Sequence, residues 1–76
     1  MALKIGLVGM GGIGNTHAGV YQQDELAQLV AVCDVKKERA DEAAAKYNVP
    51  AFYSLQSMLA AMPEIEIVDV TTSGYE

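Results

Sequence analysis

The chain has 76 residues, of which 51% are hydrophobic, and its 10 acidic and 5 basic side chains give a net charge of −5. A chain of this length makes one small domain at most, which buries only about 60% of its unfolded surface. The negative charge would repel a phosphate backbone, so nucleic acid is not an expected partner. No apolar stretch reaches the ~18 residues that a membrane span needs, and no signal peptide is recognisable.

An apolar run from Leu3 to Val8 opens the chain, and its short length and glycine boundary are typical of a buried parallel strand. Residues 9–14, with the sequence GMGGIG, form a glycine loop after this run. The spacing of apolar and aromatic residues then becomes helical: Ile13, His17, Val20 and Tyr21. Gly14 and Ala18 place two small side chains one turn apart, which favours close packing of this helix on the sheet.

A second apolar run, residues 29–33, is strand-like and ends at Asp34, twenty residues after Gly14. A GxGxxG loop between a strand and a helix, with an acidic residue about twenty positions further on, is typical of a dinucleotide site. The three glycines allow a sharp turn, a close approach of the pyrophosphate and tight helix packing, and the acid binds a ribose. The predicted cofactor contacts here are therefore Gly9, Met10, Gly11, Gly12, Ile13, Gly14 and Asp34.

The chemistry of this loop indicates which dinucleotide it would take. The N-terminus of the following helix offers backbone N–H groups and the positive end of a dipole, so a pyrophosphate needs no basic side chain there. The loop lacks the GK[ST] ending of a P-loop. Asp34 can accept hydrogen bonds from both ribose hydroxyls and opposes a 2′-phosphate, which favours NAD. Lys36 and Lys37 follow it and would partly neutralise such a phosphate, so NADP stays open as the less favoured cofactor.

The rest of the chain continues the alternation of strands and helices. The predicted elements are a helix over Lys37–Tyr47 ended by Pro50, a strand over 51–53, a helix from the N-cap Ser54 to Pro63, and a strand over 65–72 with a turn at Ser73 and Gly74. The third helix carries an apolar stripe that is expected in the core: Leu55, Met58, Leu59 and Met62. A β-α-β-α-β-α-β order predicts an α/β, Rossmann-like doubly wound parallel sheet with strand order 3-2-1-4.

In such a sheet the ligand binds at the switch point, between the carboxyl ends of the first and fourth strands. Thr71, Thr72 and Ser73 end the fourth strand and are predicted cofactor contacts, although a strand end leading into a turn explains them equally well. The single histidine, His17, is expected to pack or to contact the cofactor, and no residue is placed as a general base. Cys33 is expected to be a buried thiol, which fits a cytoplasmic protein. No metal site is predicted.

From Lys4 to Ser73 the chain resembles the N-terminal half of the nucleotide domain of the glucose-fructose oxidoreductase, inositol dehydrogenase and MocA (Gfo/Idh/MocA) family. The resemblance rests on the glycine loop with its trailing His17, on residues 30–34 (VAVCD), and on residues 47–50 and 67–71. It implies an NAD(P)-dependent dehydrogenase acting on a sugar, cyclitol or related polyol. In this family two further strands complete the cofactor domain, a Glu-Lys-Pro segment supplies a catalytic lysine, and a second domain binds substrate. Where the family usually has Thr-Pro-Asn after the fourth strand, this chain has Thr71-Thr72-Ser73.

We therefore expect residues 1–76 to form part of a dinucleotide-binding domain, starting naturally at Met1 and cut off from the remainder of that domain and from the substrate domain. Such a piece is expected to be inactive alone. A non-catalytic nucleotide-sensing or nucleotide-binding module is the main alternative, and a flavin-binding Rossmann domain is a third. The open edge of the fourth strand makes a homo-oligomer a further expectation.

Overall fold

The computed structural model describes residues 2–71, with the backbone alone of Ile13. Seven elements alternate along the chain: β1 (Leu3–Val8), α1 (Gly12–Gln23), β2 (Ala27–Cys33), α2 (Lys37–Tyr47), β3 (Ala51–Phe52), α3 (Leu55–Ala61) and β4 (Ile67–Val70). The strands form one parallel sheet in the order β3-β2-β1-β4. This confirms the predicted Rossmann-like sheet and its order. No helix within residues 2–71 has the length and apolar character to cross a bilayer.

The sheet separates two apolar clusters, one on each face. Helices α1 and α2 cover the first cluster, whose buried members are Leu7, Met10, Ala18, Leu29, Val32 and Ala43. Helix α3 covers the second, built on Ala31, Cys33 and Met58. Strands buried on both faces carry nearly continuous apolar sequence, which is why β1 and β2 lack a polar alternation. Cys33 is a free, buried thiol, as predicted, and burial followed by the charge of Asp34 raises its pKa.

A bulge interrupts the pairing of β1 with β2. Ile5 pairs with Leu29 but Gly6 pairs with Ala31, so Val30 is an extra residue on β2. An extra residue breaks the two-residue alternation of side chains. Leu29 and Val32 therefore pack in the same cluster although they are three residues apart. The run of apolar residues in β2 did not predict this shift.

The ends of several elements differ from the prediction by one or two residues. Strand β2 begins at Ala27, two residues earlier than predicted, and β3 stops one residue earlier, at Phe52. Strand β4 begins at Ile67 instead of residue 65, because the N–H of Ile65 is bonded to the Met62 carbonyl in a turn. Helix α2 ends where predicted, but through Asn48, whose φ of 58° and ψ of 49° form a left-handed cap.

The prediction for the apolar stripe of α3 was wrong for two of its four residues. Met58 is fully buried and Met62 packs beside it, whereas Leu55 and Leu59 are each 40% exposed. The helix has seven residues and meets the sheet through Met58, so its buried face is narrower than the stripe. Val20, which shares the helical spacing of α1, is likewise 58% exposed.

Candidate functional site

Two of the glycines in the loop are required by the fold itself. Gly9 has a φ of 93°, a conformation that L side chains rarely adopt. A Cβ atom on Gly14 would lie 1.8 Å from the Gly9 carbonyl oxygen, so only glycine lets α1 approach the end of β1. These two positions therefore perform the turning and packing roles that the motif predicts.

The other two glycines face open space. A Cβ on Gly11 would have the Arg39 Nη1 atom at 3.8 Å, an ordinary contact, and a Cβ on Gly12 would meet nothing within 4 Å. The fold alone therefore does not require glycine at either position. Room beside Gly11 is what a pyrophosphate needs in order to reach the backbone.

The N-terminus of α1 has no side-chain cap. Its N-cap residue is Gly11, which makes no capping hydrogen bond, and its first turn carries no acidic residue. The first N–H groups of a helix have no intrahelical partner, and the helix dipole adds partial positive charge there. This end of α1 therefore offers backbone N–H groups without a side-chain cap. Binding of an anion there stays a prediction.

Asp34 joins the end of β2 to the glycine loop. Its side chain is almost fully buried, with 7% of the residue exposed. Oδ2 accepts a hydrogen bond from the Met10 N–H, and Oδ1 accepts one from the Lys36 N–H, each at 2.9 Å. A carboxylate has about four acceptor positions, so Asp34 keeps capacity for a ribose hydroxyl. A contact of Asp34 with a ribose stays a prediction, and sequence reasoning missed that Asp34 holds the loop.

Thr71 approaches the loop from the other side of the switch point. Its N–H donates to the Val8 carbonyl at 2.8 Å, and its hydroxyl donates to the Gly9 carbonyl at 2.6 Å. The end of β4 and the glycine loop are therefore adjacent, as the predicted strand order requires. A contact of Thr71 with a cofactor stays a prediction. Thr72 and Ser73, the other two residues predicted at this end, lie outside the described residues.

Asn15 and Tyr47 hold the loop from the α2 side. The Asn15 Nδ2 atom donates to the carbonyls of Met10 and Gly11, both at 2.9 Å. The Tyr47 hydroxyl in turn donates to Asn15 Oδ1 at 2.9 Å. Sequence reasoning missed both residues. The available signal was the position of Asn15, four residues after Gly11, which lets a helical side chain reach back to that carbonyl.

A small cleft of about 50 Å³ adjoins the loop on this side. It is lined by Met10, Asn15, Arg39, Glu42, Ala43 and Lys46. Three charged residues of α2, all of them exposed, therefore border the glycine loop: Arg39, Glu42 and Lys46.

His17, Tyr21 and Asp69 link α1 to β4. The Asp69 Oδ2 atom lies 2.6 Å from His17 Nδ1 and accepts the Tyr21 hydroxyl at 2.7 Å. Burial favours a higher pKa for Asp69, but the hydrogen bonds from Tyr21 and His17 outweigh it and lower that pKa. The bond to Asp69, then burial, raises the pKa of Tyr21 to about 12. Sequence reasoning singled out His17 but missed its two partners.

These features define a class of protein: an α/β domain whose glycine loop, helix N-terminus and buried acid meet at the switch point of a parallel sheet, the usual place of a dinucleotide. The chain belongs to the Gfo/Idh/MocA family, described as an oxidoreductase family with an NAD-binding Rossmann fold, whose model matches residues 3–76.

Named relatives agree with this membership. The chain is 34% identical over 73 residues to the UDP-N-acetylglucosamine 3-dehydrogenase of Acidithiobacillus ferrooxidans, covering 96% of this chain and 23% of that protein. It is 37% identical over 76 residues to the inositol 2-dehydrogenase of Pseudomonas fluorescens, covering 97% and 23%. The chain thus spans less than a quarter of the length of these relatives.

Solved structures agree as well. The WlbA dehydrogenase from Bordetella pertussis, crystallised with NADH and UDP-GlcNAcA, superposes with a TM-score of 0.84 and 33% sequence identity. That match covers 95% of this chain and 22% of the other.

Proposed function

We propose that this chain binds the adenosine and pyrophosphate portion of NAD(H). The observation that carries the proposal is the 2.9 Å contact between Asp34 Oδ2 and the Met10 N–H, because it places a carboxylate directly beside the uncapped start of α1. A ribose acceptor and an anion site are thereby adjacent, as a dinucleotide requires. The open space beside Gly11 and Gly12 fits the same ligand.

The charges around Asp34 support NAD over NADP. The carboxylate opposes a 2′-phosphate, and one of the two nearby lysines is engaged elsewhere, with Lys37 Nζ 5.3 Å from the centre of the Tyr53 ring. Arg39 favours NADP instead, because its guanidinium brings a positive charge beside Gly11. NADP is therefore the weaker ligand of the two in our proposal.

For the protein that contains this chain, we propose hydride transfer between the nicotinamide and a secondary alcohol of a sugar, cyclitol or related polyol. Support comes from family membership and from relatives named as dehydrogenases of UDP-N-acetylglucosamine and of inositol. The nicotinamide supplies or accepts the hydride. The residues of this chain bind and orient the cofactor, with Thr71, Thr72 and Ser73 proposed on its nicotinamide side. Residues 1–76 alone are proposed to be inactive.

Calorimetric titration of the purified chain with NADH, NADPH and FAD tests the cofactor assignment. We expect NADH to bind most tightly, since Asp34 suits an unmodified ribose. Tighter binding of NADPH would overturn the role given to Asp34, and tighter binding of FAD would indicate a flavin domain.

A second experiment separates the dehydrogenase from the alternative of a nucleotide-binding module. NAD-dependent oxidation of myo-inositol and of UDP-N-acetylglucosamine is measured with the chain and with the protein encoded by its complete gene. We expect turnover from the complete protein alone. Cofactor binding without turnover of any polyol by the complete protein would support the module, and turnover by residues 1–76 would contradict their proposed inactivity.

Two further expectations stay proposals. The outer edge of β4, where Val70 is 58% exposed, is the proposed site of self-association, which sedimentation at rising concentration tests. A clean monomer at high concentration would argue against it. A cytoplasmic location is consistent with the free thiol of Cys33.

A further inference from the structure

The anion site at the start of α1 is built from peptide planes, and a side chain controls how two of those planes are turned. In a trans peptide the carbonyl of one residue and the N–H of the next point in opposite directions within one rigid plane. Asn15 Nδ2 binds the carbonyls of Met10 and Gly11 at 2.9 Å each. Fixing those two carbonyls also fixes the N–H groups of Gly11 and Gly12, which point the other way.

The Asn15 amide is itself held in one orientation. The carbonyls of Met10 and Gly11 are acceptors only, so the NH₂ end of the amide must face them, and both of its protons are used. The remaining Oδ1 atom accepts the Tyr47 hydroxyl at 2.9 Å. Tyr47 is partly buried against the core cluster that α1 and α2 cover, so packing fixes the position of its hydroxyl.

The other supports of the loop act on different peptide planes. Thr71 binds the Gly9 carbonyl, and Asp34 binds the Met10 N–H, which belongs to that same plane. The plane between Gly9 and Met10 is therefore held at both ends. The plane that carries the Gly11 N–H is held at its carbonyl end by the Asn15 side chain. The plane that carries the Gly12 N–H is held at its carbonyl end by the Asn15 side chain and also by the Asn15 backbone N–H, which donates to the Gly11 carbonyl at 3.0 Å.

We propose that Asn15 and Tyr47 are positioning residues for the phosphate site. Asn15 turns the N–H groups of Gly11 and Gly12 towards the ligand before it arrives, and Tyr47 fixes the Asn15 amide from α2. The inference rests on the proposed function, since the ligand is the pyrophosphate of NAD(H). A site with its donors already oriented binds more tightly because less ordering is needed on binding.

The test uses substitutions that keep shape and remove hydrogen bonds. Asn15→Leu removes both donors at similar volume, and Tyr47→Phe removes the hydroxyl and keeps the packed ring. Tyr53→Phe is the matched control, because the Tyr53 hydroxyl bonds Asp41 at 2.6 Å on the exposed surface. NADH affinity is measured by calorimetry, and ¹⁵N relaxation of the Gly11 and Gly12 amides is measured without ligand. Each variant is studied at temperatures from well below its own unfolding midpoint up to that midpoint.

We expect Asn15→Leu to weaken NADH binding by about tenfold and Tyr47→Phe by about threefold, in line with one or two net hydrogen bonds. The order parameter of the Gly11 amide should fall from about 0.85 towards 0.6 in Asn15→Leu. That of the Gly12 amide should fall less, because the backbone N–H of residue 15 still binds the Gly11 carbonyl. Both should fall least in Tyr47→Phe. Tyr53→Phe should change neither quantity.

Every outcome of this test either supports or overturns the positioning role of Asn15 and Tyr47. Unchanged affinity in Asn15→Leu overturns the proposal, as does unchanged loop order. A loss of affinity that appears only near the unfolding midpoint also overturns it, because that pattern marks a merely structural role. If the wild-type chain binds no NADH but the Gly11 and Gly12 amides still loosen in Asn15→Leu, the loop is positioned as inferred and the proposed cofactor is wrong.

Discussion

The surroundings of the glycine loop and the side of the sheet formed by α3 and β4 show how differently one small sheet can be stabilised. Around the glycine loop, polar side chains are paired with loop backbone at 2.6–2.9 Å: Asp34, which is buried, and Asn15 and Thr71, which are partly buried. On the α3 and β4 side, Met58 is buried, but large apolar side chains stay exposed, at 40% for Leu59 and 58% for Val70.

The difference indicates what each region is specialised for. Buried polar groups cost free energy unless they are satisfied, and a fully satisfied network fixes one conformation. We therefore expect the loop region to hold a defined shape without a ligand. Exposed apolar side chains contribute little to folding and provide surface that another element can cover. We expect mutations to have large effects in the first region and small effects in the second.

The largest effect is expected for Gly14→Ala. The new Cβ would lie 1.8 Å from the Gly9 carbonyl oxygen and 3.0 Å from Thr71 Oγ1, so α1 would have to move away from β1. The cost should be at least ~3 kcal/mol, a large share of the ~5–15 kcal/mol that stabilises a typical domain. Urea denaturation followed by circular dichroism measures it.

The matched control for this substitution lies in the same helix. A Cβ on Gly19 meets nothing within 4 Å, so Gly19→Ala should stabilise the chain by about 0.5–1 kcal/mol through helix propensity. If both alanine variants were equally stable, the close approach of α1 to Gly9 would not be a constraint on the fold.

A pair of leucines compares the centre of the sheet with the α3 side. Leu7 is fully buried on β1, and Leu59 is 40% exposed on α3. Leu7→Ala should cost about 2–5 kcal/mol because it leaves a cavity, whereas Leu59→Ala should cost less than about 1 kcal/mol. Thermal and urea unfolding of the two variants measure the difference. Equal losses would mean that α3 is packed as firmly as the centre of the sheet.

The sequence predicted the elements that depend on local signals. The glycine loop, Asp34 and the alternation of strands and helices are short-range patterns, and they were sufficient for the strand order. The missed contacts join residues far apart: Tyr47 reaches Asn15 across 32 positions, and His17 reaches Asp69 across 52. Such pairs depend on how the helices pack against the sheet, and no local sequence pattern predicts that packing.

The burial of α3 and the bulge at Val30 were missed for a related reason. Helical periodicity predicts which side chains share a face but not how much of that face another element covers. Likewise, an apolar run such as that of β2 gives no sign of where an extra residue enters the pairing. The exposed Leu55 and Leu59 are where local pattern and tertiary packing differ most in this chain.

The smallest effect concerns Asp69, which connects the two regions because it joins β4 to α1. The pKa of Asp69 is lower in the folded chain than its ordinary value of ~3.9 in the unfolded chain. At pH values between the two, the unfolded chain binds the proton more readily than the folded chain does, so acid favours unfolding. The stabilisation is thus present above the ordinary pKa and is lost as the pH falls through the folded pKa. Because His17 is 43% exposed, we expect less than about 1 kcal/mol.

At alkaline pH, stability falls as the pH rises, the opposite of its dependence in acid. The pKa of Tyr21 rises from 10.0 to about 12, so its contribution to stability is present below pH 10 and is lost as the pH rises towards 12.

Urea unfolding of wild type, Asp69→Asn and Tyr21→Phe across both pH ranges measures these slopes, with Asp24→Asn as an exposed control. Asp69→Asn should weaken both slopes, because it removes the shared acceptor. Tyr21→Phe should weaken the alkaline slope without abolishing it, because the raised pKa of Cys33 also contributes there. Profiles that match wild type in both variants would show that this link between α1 and β4 does not contribute to stability.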